Sequence, residues 1–340
     1  MNGNYRQIAL WLFGCCALVF AMVVLGGVTR LTGSGLSMVD WHPVSGVVPP
    51  LNDTQWLAEF ENYQTSPEYR KINRGMSLAA FKRIFLFEYA HRVLGRAIGI
   101  AFLLPYVYFF VRRMLDRALL IRLAGVFALG ALQGLLGWYM VKSGLVDNPH
   151  VSQYRLTAHL ALAVLIYGYM LWLGLRLWYD GESHEAAPRR LRSMTFAVSA
   201  LIVVTLLSGG FVAGLKAGLI YNTFPLMNGQ WIPDGMLAVQ PVILNPFENI
   251  VTVQFDHRWL AIATLVAVLA LWAYAVRQPV SSRARVGYHL LALFACAQVG
   301  SGVATLLLRV PVSLGAAHQG TALLLFTVVV YVDQAIRRNA

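Results

Sequence analysis

Charge is scarce in this chain. Only 12% of its 340 residues are Asp, Glu, Lys or Arg, against 58% hydrophobic ones, which excludes both an ordinary soluble domain and a disordered segment. Acid is scarcer still, with 15 Asp and Glu set against 27 Lys and Arg. Cysteine is nearly absent: Cys15, Cys16 and Cys296 all fall in apolar stretches. A disulfide framework or a thiol relay in a loop is thereby excluded, and the three read as small packing residues. Alternating apolar and polar residues are also missing from the long apolar runs, which excludes a transmembrane β-barrel.

The apolar runs are what the chain has. Eight of them, at about residues 8–28, 88–111, 119–141, 156–178, 193–213, 257–276, 286–308 and 313–335, reach the roughly 20 residues a membrane-spanning helix needs. The expected fold is all-α and integral to the membrane, with little left over for a soluble domain. The first run is longer than the core of a signal peptide and is read as a helix.

The net charge of +12 is explained by topology, with no nucleic-acid partner. Arg112, Arg113, Arg117 and Arg122 lie between runs two and three, and Arg189, Arg190 and Arg192 between four and five. Arg277, Arg283 and Arg285 lie between six and seven, and Arg337 with Arg338 at the end. These are alternate connections, as the positive-inside rule requires if both termini are cytoplasmic. Arg70, Lys71, Arg74, Lys82 and Arg83 lie in the first long loop, and long translocated loops escape the rule. No transit-peptide pattern is read at the start, so the expected location is the bacterial cytoplasmic (inner) membrane, crossed many times.

Landmarks recur in the same order in residues 1–180 and 181–340. Leu25-Gly26-Gly27-Val28 answers Ser208-Gly209-Gly210-Phe211, and Gly33-Ser34-Gly35-Leu36 answers Lys216-Ala217-Gly218-Leu219. His91-Arg92 answers His257-Arg258, Gln133-Gly134 with Gly137 answers Gln298-Val299-Gly300 with Gly302, and His159 answers His318. The expected architecture is two homologous four-helix bundles, one per half, related by an axis along the membrane normal.

Histidine inside a bilayer is costly and marks function. His91, His159, His257 and His318 fall near the outer face under the orientation above, on alternate helices within each half. A four-helix bundle can bring each pair face to face, so each pair can clamp one heme iron from both sides. Zinc or copper would want three or four nitrogen or sulfur ligands together, and each half offers two. His42 and His150 in outer loops are weak candidates, and His184 and His289 read as structural. The glycines beside Gln133 and Gln298 either admit a flat ligand or pack helices closely. Arg92 and Arg258 either bind heme propionates or anchor the membrane interface.

One difference separates the halves. Three residues before His91 stands Glu88, whereas three before His257 stands Gln254. Residues three apart share a helix face, so Glu88 would lie beside the group held by His91. A carboxylate there can act as base or stabilise positive charge; alternatively Glu88 only pairs with Arg92 one turn on. The N-terminal site is therefore expected to be reactive and the C-terminal one an electron-transfer or structural heme. Asp256 also adjoins His257, on another face.

With Gly26-Gly27-Val28-Thr29-Arg30-Leu31-Thr32-Gly33-Ser34-Gly35-Leu36, Glu88-Tyr89-Ala90-His91-Arg92 and the other three histidines, the chain resembles the heme A synthases along nearly its whole length. The resemblance implies oxidation of the C8 methyl of heme O to a formyl group, giving heme A for terminal oxidases. It implies that His91 and His159 hold the substrate heme, that Glu88 is catalytic, and that His257 and His318 hold a permanent heme b. Heme O synthase, the terminal oxidase assembly machinery and an electron acceptor, a quinone or a redox protein, are the partners implied, beside the lipid bilayer. Some relatives carry a cysteine pair in an outer loop; this chain has none, so a thiol role does not transfer. A histidine-clamped iron has no open position, which favours electron withdrawal from the macrocycle and attack of water at the methyl carbon. The competing class is a non-enzymatic di-heme b-type cytochrome. A repeat-built transporter ranks last, since it would want broken helices and polar groups at the midplane. The loop from Asp40 to Lys82, with Trp41, Trp56, Phe60 and Tyr63, is expected to cover the N-terminal site.

Overall fold

A computed structural model describes residues 3–40, 48–145, 149, 151–181 and 187–337. Trp41, His42, His150, His184 and Arg338 lie outside the described residues. Eleven α-helices follow in chain order: α1 (Gly3–Leu31), α2 (Asp53–Gln64), α3 (Pro67–Lys71), α4 (Leu78–Val111), α5 (Arg117–Gly144), α6 (Gln153–Trp178), α7 (Arg189–Leu215), α8 (Asn245–Glu248), α9 (Ile250–Ala275), α10 (Ser282–Leu307) and α11 (Val312–Ala335). Among the described residues eight of these, α1, α4 to α7 and α9 to α11, are long and apolar enough to cross a membrane. No strand is present among the described residues, only an isolated bridge between Met227 and Gln230.

Helix α4 departs from the apolar run that announced it. It starts at Leu78, behind Ser77, whose side-chain oxygen accepts from the Ala80 amide. That N-cap satisfies an amide the helix end would otherwise orphan. The first three turns carry Lys82, Arg83 and Glu88 among the apolar residues, and this mixed face is what shortens the hydropathy signal. At 1.5 Å per residue the 34 residues span about 51 Å, beyond the roughly 30 Å of a hydrocarbon core. His91 consequently lies about four turns into its helix, whereas His159, His257 and His318 lie about two turns into theirs.

The apolar faces find one another in a regular order. In the first half α1 packs on α4 and α6, and α5 packs on α4 and α6; in the second, α7 packs on α9 and α11, and α10 on α9 and α11. Contacts of α1 with α11, α6 with α7 and α6 with α11 join the two sets. One apolar cluster runs through both, with Leu12, Leu123, Met170, Leu191, Leu271 and Leu323 among its buried members. Close approach at the junction depends on small residues: a Cβ on Gly27 of α1 would overlap the Gln319 side chain of α11, and one on Gly210 of α7 would lie 2.8 Å from Thr157 Oγ1 of α6.

The first long connection is itself folded. Asn52 caps α2 by accepting from the Gln55 amide, and Ser66 with Pro67 starts α3. Tyr63 stacks on Phe81 at 5.0 Å, and Trp56 meets Phe85 edge-on at 5.1 Å. Tyr63, Phe81 and Phe85 are buried together, with Met38, Phe60 and Tyr89 against them. The connection thus docks on the first turns of α4, at the end from which His91 and Glu88 are reached.

Candidate functional site

Each histidine leans on a glycine of the neighbouring helix. A Cβ built on Gly26 of α1 would lie 3.2 Å from His91 Nε2, and one on Gly209 of α7 would lie 3.2 Å from His257 Cε1. On Gly137 of α5 it would lie 3.0 Å from His159 Cε1, and on Gly302 of α10, 2.8 Å from His318 Cε1. In each half, therefore, two helices across from one another supply imidazoles and the other two supply glycines. Gly134 and Gly300 face open space instead, so of the sequence-picked glycines it is Gly137 and Gly302 that admit a ring. His91 lies within electrostatic reach of His159, and His257 of His318. All four side chains are half-buried.

The C-terminal imidazoles are held by hydroxyls. Ser208 Oγ is 2.7 Å from His257 Nδ1 and Ser301 Oγ is 3.1 Å from His318 Nδ1. Gln298 Nε2 is 3.4 Å from His318 Nε2, while its Oε1 accepts from Thr321 Oγ1. In the N-terminal half Gln133 Nε2 donates to the His159 carbonyl at 3.0 Å. His159 Nδ1 and Gln133 Oε1 are buried without a hydrogen-bond partner among the described residues.

Glu88 is 3% exposed and accepts five hydrogen bonds. Oε1 takes Arg92 Nε at 3.1 Å and Nη2 at 2.6 Å; Oε2 takes the Ser37 amide and hydroxyl, both at 2.7 Å, and the Met38 amide at 2.9 Å. Arg92 also donates to the carbonyls of Met38 and Asp40. The second half repeats this with the same register: Arg258 donates to the Tyr221 and Thr223 carbonyls, and Gln254 Nε2 to that of Tyr221. Both arginines thus grip the chain leaving the preceding helix. Gln254 serves its clasp as a donor, whereas Glu88 offers two acceptor oxygens to five donors, two of them on the Arg92 guanidinium.

The glycine- and threonine-rich stretch after Gly26 builds the same clasp. Arg30 crosses to the end of α7, where its Nη2 donates to the Ala213 and Gly214 carbonyls at 3.0 and 2.9 Å. Both lie in the last turn of α7, at its negative pole, where Ala213 also accepts from the Lys216 amide at 3.3 Å. Thr32 Oγ1 donates to the Val28 carbonyl and lies 2.6 Å from Ser34 Oγ. Gly33 takes φ +66°, which needs no Cβ to be moved aside; its repeat partner Lys216 takes φ 55° as the left-handed cap of α7.

Among the described residues no group of three or more His, Cys, Asp or Glu could hold a metal ion. His289, read as structural, accepts from Trp272 Nε1 at 3.0 Å. Ser208, Ser301, Ser37 and Thr321 escaped the sequence reading, although the first two adjoin glycines of the repeat.

A family described as COX15-CtaA, cytochrome oxidase assembly protein, matches residues 9–330. The heme A synthase of Nitrosospira multiformis is 53% identical over 98% of this chain and 94% of its own length. That of Paramagnetospirillum magneticum is 52% identical over 96% of this chain and 92% of its own. Heme A synthase COX15 of Bos taurus is 45% identical over 98% of this chain and 83% of its own. With nearly every residue of the eight spanning helices inside the match, the chain belongs to the COX15-CtaA family of cytochrome oxidase assembly proteins.

Proposed function

We propose that this chain is a heme A synthase, a membrane oxidoreductase that converts the C8 methyl of heme O to the formyl group of heme A for terminal oxidase assembly. The observation that carries this reading is the 53% identity to a heme A synthase over 98% of the chain, taken with two histidine pairs each set against glycines. The halves 1–180 and 181–340 are read as the substrate-heme and heme b units. His91 and His159 are assigned as axial ligands of the substrate heme, His257 and His318 as those of heme b.

The residues fit a bound heme. Imidazole nitrogens suit iron, and the glycines leave the room beside each ring that a side chain would fill. Heme b would supply a one-electron outlet beside the reacting site. Glu88, one turn from His91, is assigned as the catalytic carboxylate. To take a proton it must part from one of its five donors; the Ser37 hydroxyl has another acceptor in the Ser34 carbonyl at 2.9 Å, and Arg92 Nη2 has one in the Met38 carbonyl at 3.0 Å. Arg92 and Arg258 hold backbone carbonyls above the sites, so any propionate they meet is met by donors shared with this clasp.

The charge pattern supports placement in the bacterial cytoplasmic membrane with both termini cytoplasmic and the histidines toward the outer face. A quinone or redox protein as electron acceptor, and heme O synthase as donor of substrate, complete the reading. The test is to extract the hemes from the purified protein and to identify them by chromatography and mass. Heme O or heme A beside heme b is expected. Heme b alone, with terminal oxidases still receiving heme A after deletion of the gene, would mark a di-heme electron-transfer cytochrome instead.

A further inference from the structure

The two histidine pairs share their glycines but differ in what touches Nδ1. Ser208 donates its hydroxyl proton to the Thr205 carbonyl at 2.7 Å, and Ser301 donates its own to the Gln298 carbonyl at 2.9 Å. With its proton on that carbonyl, each serine oxygen accepts from the imidazole beside it, His257 Nδ1 at 2.7 Å and His318 Nδ1 at 3.1 Å. In that arrangement both rings carry hydrogen on Nδ1 and a lone pair on Nε2, the tautomer that an iron at Nε2 would need. The contact of Gln298 Nε2, which can only donate, with His318 Nε2 agrees with this tautomer. A ligand whose second nitrogen is hydrogen-bonded is fixed in orientation and more basic.

The repeat register puts leucines in the other half: Leu25 answers Ser208 and Leu136 answers Ser301. Leucine has no hydroxyl to offer, and His159 Nδ1 is buried without a partner among the described residues. Glycines stand behind the rings in both halves, so the serines bear on the orientation and basicity of the ligands and not on the room beside them.

We propose that Ser208 and Ser301 are positioning residues that lock the axial histidines of a retained heme, and that Leu25 and Leu136 leave the N-terminal pair unlocked so that heme can enter and leave. The inference rests on the assignment of the histidine pairs to heme b and to the substrate heme. It gives the division of labour a physical basis: retention on one side, exchange on the other.

The test compares heme transfer from the detergent-solubilised holoprotein to excess apomyoglobin, with heme b and heme A or O followed separately, and records the low-spin electron paramagnetic resonance signal. Ser208→Ala with Ser301→Ala should release heme b about 10–100-fold faster and shift the signal, which reports the imidazole planes. Ser208→Thr with Ser301→Thr keeps both hydroxyls and should restore slow release, which separates the hydrogen bond from a general loss of packing. Leu136→Ser should slow release of the N-terminal heme. Wild-type release and signal in the alanine pair would overturn the lock, and unchanged release in Leu136→Ser would overturn its N-terminal counterpart. If His257→Ala itself keeps heme b in place, the assignment beneath the inference fails; if that variant loses heme b while the serine variants behave as wild type, only the inference fails.

Discussion

Arg92 Nη2 lies 2.6 Å from Glu88 Oε1, and the two side chains are 8% and 4% exposed. This is a buried ion pair, and removing one partner from such a pair costs about 3–5 kcal/mol because the other charge is left uncompensated. Loss of activity on mutation of Glu88 alone would therefore be ambiguous.

A double variant resolves the ambiguity. Glu88→Gln should lower the melting temperature and cut heme A formation by about 10²–10⁴-fold. Glu88→Gln with Arg92→Gln removes the stranded charge and should recover stability without recovering heme A. Return of heme A in the double variant would reduce Glu88 to an anchor for Ser37 and Met38.

The glycines behind the histidines should not tolerate a branched side chain. Gly302→Val would drive side-chain atoms into His318, whose Cε1 already stands 2.8 Å from the position of a Cβ, and should deplete heme b. Gly300→Ala, with open space around it, should leave heme content unchanged. Pyridine hemochrome spectra of the two variants make the comparison.

Histidine deletions should separate the sites. His257→Ala or His318→Ala is expected to deplete heme b, and His91→Ala to abolish heme A while heme b is largely kept. The shared apolar cluster makes some loss of stability common to all three, so heme identity, not yield, is the readout. Equal loss of both hemes from every variant would refute the pairing.

Glu68 should make docking of the first long connection pH-dependent. Burial pushes its carboxyl up from an ordinary 4.5 to about 7, against a hydrogen bond from Tyr63 that pulls it down. Tyr63 donates at 3.1 Å and itself accepts from Asn73; Glu88 and Lys216 are the charged groups that also act on it. In the window from about 4.5 to about 7 the docked state binds the extra proton, so its stability falls as pH rises and levels off above 7. Limited proteolysis of residues 53–77 should be slower at pH 5 than at pH 8, and Glu68→Gln should remove the difference. Equal cleavage rates of the unaltered protein at both pH values would refute it.

Much of this was legible in the residues. Eight apolar runs gave eight spanning helices because, without the alternation of a barrel strand, only a helix satisfies the backbone in lipid. The repeat register that aligned Gly26 with Gly209 and Gly137 with Gly302 also aligned the glycines that meet histidine rings. What escaped was polar and local. The start of α4 was hidden because Lys82 and Arg83 broke the hydropathy, although Ser77 was there to cap it. Ser208 and Ser301 lay inside stretches read for their glycines alone. The five donors to Glu88 come mostly from residues 37 and 38, about fifty positions away, and no periodicity brings such partners together.

The length of α4 has a consequence for the shape of the membrane-distal surface. His91 and His159 lie within electrostatic reach of each other, yet the helix bearing His91 begins roughly 20 Å before it and the helix bearing His159 roughly 9 Å before it. In the other half the corresponding rises are roughly 10 and 9 Å. On the side of His91 and His159 the first turns of α4 therefore rise about 10 Å further than the start of α6, and Trp56 and its neighbours pack against Phe85 there. A protein handing heme over from that side would meet an upright, aromatic-faced helix.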